Sequence, residues 1–372
     1  MKKIFVILAF LWMGGTVLFA QTEKTILYLI PFYANQYDAS LVYAAEDEAS
    51  MNAIPSFQLM GFWAGAQIAL DEYEAQGVPL KIIVKDVSES EAKLRSILEN
   101  QALMSDVDLI VGPFFSQQFA IAAQYAKKYN IPIVNPFTNR TDILSGNEYV
   151  YKIMPSLESR PAMVSYMADM YPNHQILIYA DSLKKTRELS AYMNYFKEHG
   201  VAYKIVPLSS KLVNFIKPNQ KNFVIVLDQD AARSLMISRD LIYKTNLDDL
   251  VMIVPNEWLE MPTYDVEYYS KLNLHFFSDY YVDDNNEQTR LFVHKYTEKF
   301  KTLPTVKNFG YQGYDITRFF VDLLLNDMDL DRVKVETISY RLSLDKISNG
   351  GYENINVPFL EVQDNKVVPV GF

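Results

Sequence analysis

Residues 107–139 read VDLIVGPFFSQQFAIAAQYAKKYNIPIVNPFTN. An apolar run from Val107 to Val111 meets Gly112-Pro113, and Ser116 then stands where it can cap a helix. The helical stretch gives way to Ile131-Pro132-Ile133-Val134 and to a second polar turn at Asn135. Strand, turn, helix, strand and turn within about thirty residues is the length of one βαβ unit. Both turns fall at the carboxyl ends of parallel strands, where open α/β sheets bind ligands.

The same rhythm extends in both directions. Upstream, residues 25–31 form a β-rich first strand, and residues 56–76 place Leu59, Phe62, Trp63, Ala66, Leu70 and Tyr73 at helical spacing before Gly77. Between them, residues 32–56 make a long connection with an acidic cluster at Glu46, Asp47 and Glu48. Such a segment is either a solvated loop with a helical turn or a lid or partner site. Residues 80–86 supply the second strand and 89–103 the second helix. Downstream, strands at 149–154, 175–180, 223–228 and 250–254 alternate with helices at 159–170, 184–199 and 231–244. Residues 274–282 suit a crossing between lobes, residues 288–301 and 313–326 read as helices, and the tail from Ile338 holds short strand-like pieces around Gly350-Gly351. Alternation of this kind predicts an α/β chain of doubly wound parallel sheets with helices on both faces. At 372 residues the chain exceeds the usual single core, so two lobes are expected.

Composition narrows the function. Apolar residues make up 49% of the chain and aromatic residues 14%, enough for large cores. Residues 1–20 have the layout of a secretory signal, with two lysines, an apolar run from Ile4 to Trp12 and a cleavage site after Ala20. The unbroken apolar part is too short to span a membrane comfortably, and no later segment is long enough. Removing those residues takes away two lysines and no acid, which moves the net charge from −10 to −12. An acidic surface argues against nucleic acid as a partner, because phosphate binding needs a basic face. The absence of cysteine excludes disulfides, thiol catalysis, cysteine metal sites and a lipidated mature N-terminus. The expected setting is a periplasm.

Enzyme signatures are missing: there is no G-x-S-x-G elbow, G-x-G-x-x-G, phosphate loop or H-E-x-x-H. The four histidines lack metal-ligand spacing, so neither a metal nor a cofactor is expected. Asp86, Asp181 and Asp228 each close a predicted strand just before a helix, and read as helix N-caps in preference to cleft residues. The turn 112–118 is more informative. A helix N-terminus presents free N–H groups and positive potential to a carboxylate. Ser116, Gln117 and Gln118 would add side-chain donors, and the next turn offers Thr138, Asn139 and the cation Arg140. Ordinary capping accounts for both turns equally well. In the second half, Glu257 beside Trp258 could take an ammonium group by ion pairing and through the ring face, or be a surface acid next to a half-buried ring.

Four stretches carry a resemblance: FWAGAQIALDEYEAQG with KIIVKD after it, the 107–139 unit, YVYKIMPSLESRPAMVSYM, and FVHKYTEKFKTLPTVKNFGYQGYDITRFFVDLLL. In this order they resemble the type I periplasmic solute-binding proteins, particularly those for leucine, isoleucine and valine, over roughly residues 25–370. The resemblance implies two α/β lobes joined by three crossings and closing over a ligand by hinge motion. It implies a leader at 1–20, one lobe of residues 22–146 plus 283–337, and a second of 147–282 plus 338–372. It also implies a soluble, non-enzymatic protein that captures a small polar solute for an ABC-type importer, with a membrane permease as partner. The anionic end of the ligand would lie on Ser116–Gln118 and Thr138–Arg140, and its ammonium on Glu257 with Trp258. The chain departs from the family pattern at Leu183 to Thr186, near Asp228-Gln229, at Phe114, Phe115 and Phe137, and in the long 32–56 connection. Those departures suit an alternative: a binding fold whose cleft is filled by phenylalanines and which acts through an envelope protein partner, in the manner of an activator of a cell-wall synthase.

Overall fold

A computed structural model describes residues 22–260, 266–272 and 274–370. The expected leader and its cleavage site at Ala20 lie outside the described residues. In chain order the first strands are β1 (Lys24–Ile30), β2 (Leu80–Asp86), β3 (Leu109–Val111), β4 (Ile133–Asn135), β5 (Val150–Lys152), β6 (His174–Ala180) and β7 (Lys204–Pro207). They are followed by β8 (Lys221–Val226), β9 (Leu250–Ile253), β10 (Leu274–Phe277), β11 (Leu344–Lys346), β12 (Tyr352–Asn354), β13 (Phe359–Gln363) and β14 (Lys366–Pro369).

These build two seven-stranded sheets among the described residues, in the orders β11-β12-β5-β4-β3-β1-β2 and β14-β13-β10-β9-β8-β6-β7. The pairs among β1 to β5 and among β6 to β10 are parallel. Antiparallel pairs enter only with the tail strands, at β11/β12, β10/β13 and β13/β14. Each sheet reverses its winding once, between β1 and β3 in the first and between β6 and β8 in the second. Such a reversal opens a crevice at the carboxyl ends of the strands.

Side chains alternate faces along a strand, and here both faces are covered. Ile26, Tyr28 and Ile30 enter one core while Leu27 and Leu29 enter another. In the second sheet Leu177 and Tyr179 face one core, and Ile176, Ile178 and Ala180 the other. The helix Met60–Ala75 packs along Gly310–Leu325 on the first sheet. Their backbones approach so closely that a Cβ on Gly65 would stand 1.8 Å from the Gly310 carbonyl oxygen.

The chain passes between the sheets after β5, after β10 and between β12 and β13. This corrects two expected boundaries. Val150–Lys152 pairs with β4, Tyr352–Asn354 pairs with β5 and Leu344–Lys346 pairs with Tyr352–Asn354, so all three belong with the first sheet and not the second. Residues 39–44 and 48–52 form short helices within the long connection. Strand β7, unforeseen in the sequence, pairs in parallel with the edge of β6.

Lys152, at the end of β5, is fully buried and pairs with Glu353 of β12 at 2.7 Å. Its Nζ also donates to the Ser156 hydroxyl at 3.1 Å, which ties the first crossing to the sheet. Burial lowers the affinity of this amine for its proton, and the Glu353 carboxylate opposes that shift.

Candidate functional site

Asn135, fully buried at the end of β4, joins the two expected ligand turns of the first lobe. Its side-chain amide donates to the carbonyls of Pro113 at 3.1 Å and Phe114 at 3.4 Å. Its Oδ1 accepts from the backbone N–H groups of Phe137 at 2.8 Å and Thr138 at 2.9 Å. The turns therefore meet, and the Ser116 and Thr138 hydroxyls lie 3.5 Å apart. Ser116 is the first residue of the helix Ser116–Tyr129, not its cap; the N-cap is Phe115, which has no side-chain capping bond. That leaves the first-turn N–H groups to water or to an anion. Gln118 is 3% exposed, and neither atom of its amide group has a hydrogen-bond partner among the described residues. Gln117 is exposed on the same turn.

The second turn is partly committed to its own bonds. The Thr138 hydroxyl accepts from Arg140 N–H at 3.2 Å, and the Arg140 guanidinium pairs with Asp142 within the loop. That carboxylate neutralises the cation expected to meet a ligand, and the pairing holds Asp142 below the usual carboxylate range. Asn139 instead receives Arg187 from the second lobe, through its side-chain oxygen at 3.2 Å and its carbonyl at 3.1 Å. Arg187 opens the helix Arg187–Glu198 after β6, so the two lobes touch at the strand ends that bracket the crevice.

On the second lobe, a cavity of about 170 Å³ lies at the ends of β8, β9 and β10. Its polar wall comprises Arg160, Glu188, Gln229, Asn256, Glu257 and Asp279. Arg160 donates to Glu188 at 2.8 Å and sits 5.4 Å from the centre of the Phe277 ring. Glu257 accepts from the Gln229 amide at 2.7 Å. Asp279 follows β10 on the second crossing. Although part of its surface is open to solvent, crowding by the cleft wall and the nearby Glu257 raise its pKa against the pull of Arg160. Three carboxylates and one guanidinium leave this half of the crevice negative, which favours a cationic group.

Trp258 does not share in that wall. It is 0% exposed, belongs to the second-lobe core and donates its ring N–H to the Asp228 carbonyl at 2.8 Å. Its face is committed to packing near Tyr269, so the expected cation–π role is withdrawn. The capping role expected of the three aspartates is corrected as well: the caps are Ser90, Thr186 and Asp230. Asp86 instead gathers the N–H groups of Phe32, Ala34 and Ser88 at 3.0, 3.1 and 2.9 Å. Burial would raise its pKa, but these bonds and Lys93 outweigh burial and hold it low. Asp228 pairs with Arg233 at 2.5 Å, and Asp181 accepts from Leu183 N–H.

Phe114 and Phe137 pack into the first-lobe core. With Phe62 and Phe309 they form a chain of rings spaced 4.6 to 5.8 Å apart. Arg160, Glu188, Asp279 and Arg187 escaped the sequence reading. The available signal was position, one charged residue just past a strand end or at a helix start, and that signal is shared by many surface residues. No group of three or more metal-ligating side chains occurs among the described residues.

A family model described as the receptor family ligand binding region matches residues 67–320. Among solved structures, a protein from Rhodospirillum rubrum provisionally named a branched-chain amino acid ABC transporter superposes with a TM-score of 0.63. Its identity is 14%, with 94% of this chain and 100% of that chain covered. An ABC transporter substrate-binding protein from Desulfitobacterium hafniense, in complex with Leu, gives 0.54 at 15% identity with the same coverage. Full-length LpoA from Haemophilus influenzae gives 0.59 at 14% identity, covering 94% of this chain and 59% of that one. At such identities the likeness is one of fold. No curated protein matches the sequence.

Proposed function

This chain belongs to the receptor family ligand binding region, with the type I periplasmic binding fold, and on that premise we propose that it captures a small amino-acid-like solute between its lobes for an ABC-type importer. The observation that carries this reading is the division of labour across the crevice. An uncapped helix start with two hydroxyls on the first lobe suits a carboxylate, and the acidic cavity around Glu257 and Asp279 suits an ammonium. The protein acts outside the cytoplasm by binding and closing, without chemistry. Among the described residues no helix is long and apolar enough to cross a membrane.

Thermal-shift screening against free amino acids tests it. A ligand that binds only the folded chain, present at about a hundred times its Kd, adds about 2.7 kcal/mol of stability. Glu257→Gln and Asp279→Asn should each weaken the active compound by about tenfold or more, since each removes a charged partner. A flat melting temperature across the panel at millimolar concentration counts against the reading.

A second reading has its own observation. The segment around Met51 and Phe57, with Trp63, Tyr296 and Phe300, walls a largely apolar groove of about 850 Å³ with Glu46 and Asp47 on its lining. Tyr37, Leu41 and Tyr43 stand exposed on the same segment. A groove of this kind fits an envelope protein partner. Deleting residues 36–52 should then remove cross-links to that partner while leaving ligand-induced shifts in place. Unchanged cross-linking would exclude the groove.

A further inference from the structure

The second and third passages between the lobes line a cavity besides the crevice. This separate cavity of about 340 Å³ is lined by Tyr281 and Asp283 of the second crossing, Val357 of the third, Arg341 leading into β11, Phe359 of β13 and Thr289 of the helix Glu287–Phe300. It shares no lining residue with the acidic cavity at the ends of β8, β9 and β10. The two are neighbours nonetheless: the Phe359 ring packs 4.7 Å from Phe277, which walls the other cavity. At this volume the site lies near the lower end of ligand pockets, which run from about 300 to 1,000 Å³.

Its polar groups are placed but unspent. The Arg341 side chain makes no ion pair or hydrogen bond among the described residues, and the Asp283 carboxylate accepts only from Asn285 N–H at 2.9 Å. Burial raises the Tyr281 pKa, with Asp283 and Asp284 adding to the rise and Arg341 opposing it. Thr289 is 1% exposed, and its hydroxyl has no hydrogen-bond partner among the described residues. A buried hydroxyl left without a partner costs stability, so its persistence beside a cavity points to a polar atom that completes it. One free cation, one free carboxylate, a buried hydroxyl and an apolar wall of Val357 and Phe359 together describe the complement of a particular ligand class.

We propose that this hinge cavity binds a small zwitterionic solute with an apolar body, the size of an amino acid, with its carboxylate on Arg341, its ammonium on Asp283 and its body against Val357 and Phe359. Because the second and third crossings both line the cavity, an occupant bridges the segments that must twist when the lobes close. It therefore shifts the balance between open and closed forms by its difference in affinity for the two. The binding claim does not rest on what the crevice holds.

Isothermal titration with L-leucine and L-methionine tests it on the full chain, with two sets of variants. Arg341→Ala and Thr289→Val should each weaken the hinge site by about tenfold or more, as expected for losing a charged or buried hydrogen bond. Thr289→Val keeps the shape and removes a hydroxyl with no protein partner, so its melting temperature should not fall. Glu257→Gln with Asp279→Asn should leave that site intact. Binding that survives the crevice variants and falls in the hinge variants supports the proposal, and does so even if the crevice takes neither amino acid. Binding lost only in the crevice variants, unchanged binding in both hinge variants, or no heat from either amino acid at millimolar concentration overturns it.

Discussion

Gly313→Ala should cost the protein about 3 kcal/mol or more, and the double variant Gly65→Ala/Gly313→Ala should fail to fold. A Cβ on Gly313 would stand 1.9 Å from the Phe62 carbonyl oxygen, and one on Gly65 would stand 1.8 Å from that of Gly310. Both obstacles are backbone atoms, which a side-chain rotation cannot move aside. The helices Met60–Ala75 and Gly310–Leu325 would have to separate, and with them Phe62, Ala66, Ile316 and Phe320 in the core beneath. Overpacking a core by a methyl usually costs about 1–3 kcal/mol, and rigid backbone on both sides places this case at or beyond the upper end. Gly77→Ala is the control. Nothing lies within 4 Å of its added Cβ, and only its left-handed backbone (φ 73°) resists substitution, at about 1–2 kcal/mol. Urea unfolding of the three chains gives the comparison. A Gly313→Ala chain as stable as the Gly77→Ala control would show that the helices are not held at this distance in solution.

The same two helices show what was readable in the chain. Residues 56–76 announced themselves through apolar spacing and a glycine stop, and the observed helix ends at Ala75 with Gly77 just beyond. The central strands were equally legible, because a parallel strand buried on both faces is a run of apolar residues: β6, an inner strand of the second sheet, spans His174–Ala180 where the pattern predicts 175–180. Sheet membership was not readable. Val150–Lys152 has the local character of any short strand, and only its pairing with Ile133–Asn135 assigns it to the first lobe. The same holds for the hairpin of β11 and β12, which only the pairing of Tyr352 with the distant Tyr151 assigns to the first sheet. Trp258 misled for a related reason, since an aromatic beside a glutamate looks alike whether the ring meets a ligand or the core. Its neighbours Tyr269 and Leu272 are residues that no local pattern brings to it. The two polar turns that Asn135 joins were visible as polar residues after strands. Arg160 and Asp279 were not, because single charges carry no period.

Asp315→Ala should cost about 3–5 kcal/mol, and Asp315→Asn should cost less while erasing a pH dependence. Asp315 is fully buried on the helix Gly310–Leu325. Its carboxylate takes four donors: Ile338 N–H at 2.8 Å, Ser339 N–H at 2.6 Å, the Ser339 hydroxyl at 2.6 Å and Tyr340 N–H at 3.1 Å. Ile338, Ser339 and Tyr340 are themselves buried, so alanine would strand donors that water reaches poorly. Asparagine keeps one acceptor oxygen for the donors on Oδ2 but turns an NH₂ toward Ile338 N–H.

The carboxyl group is pushed up to about 6 from 3.8 by burial, against the pull of those same donors. A carboxyl whose folded pKa is raised binds its proton more tightly in the native state. Its contribution is therefore largest below pH 4 and fades as pH rises through about 6. Over that window it amounts to on the order of 3 kcal/mol. The stability of the wild type minus that of Asp315→Asn should accordingly grow as pH falls from 7 to 4, with other titrating groups cancelling in the difference. A difference flat with pH would mean that the group titrates near its ordinary value. The clamp also has a functional reading. Ser339, held by Asp315, accepts Tyr281 N–H through its carbonyl at 2.8 Å, so the buried acid fixes the second crossing to the first lobe. If the lobes close as proposed, loosening it lets the twist spread into the lobe in place of the crossing. A ligand that stabilises the closed form should then produce a smaller thermal shift in Asp315→Asn than in the wild type, even at a pH where the two are equally stable.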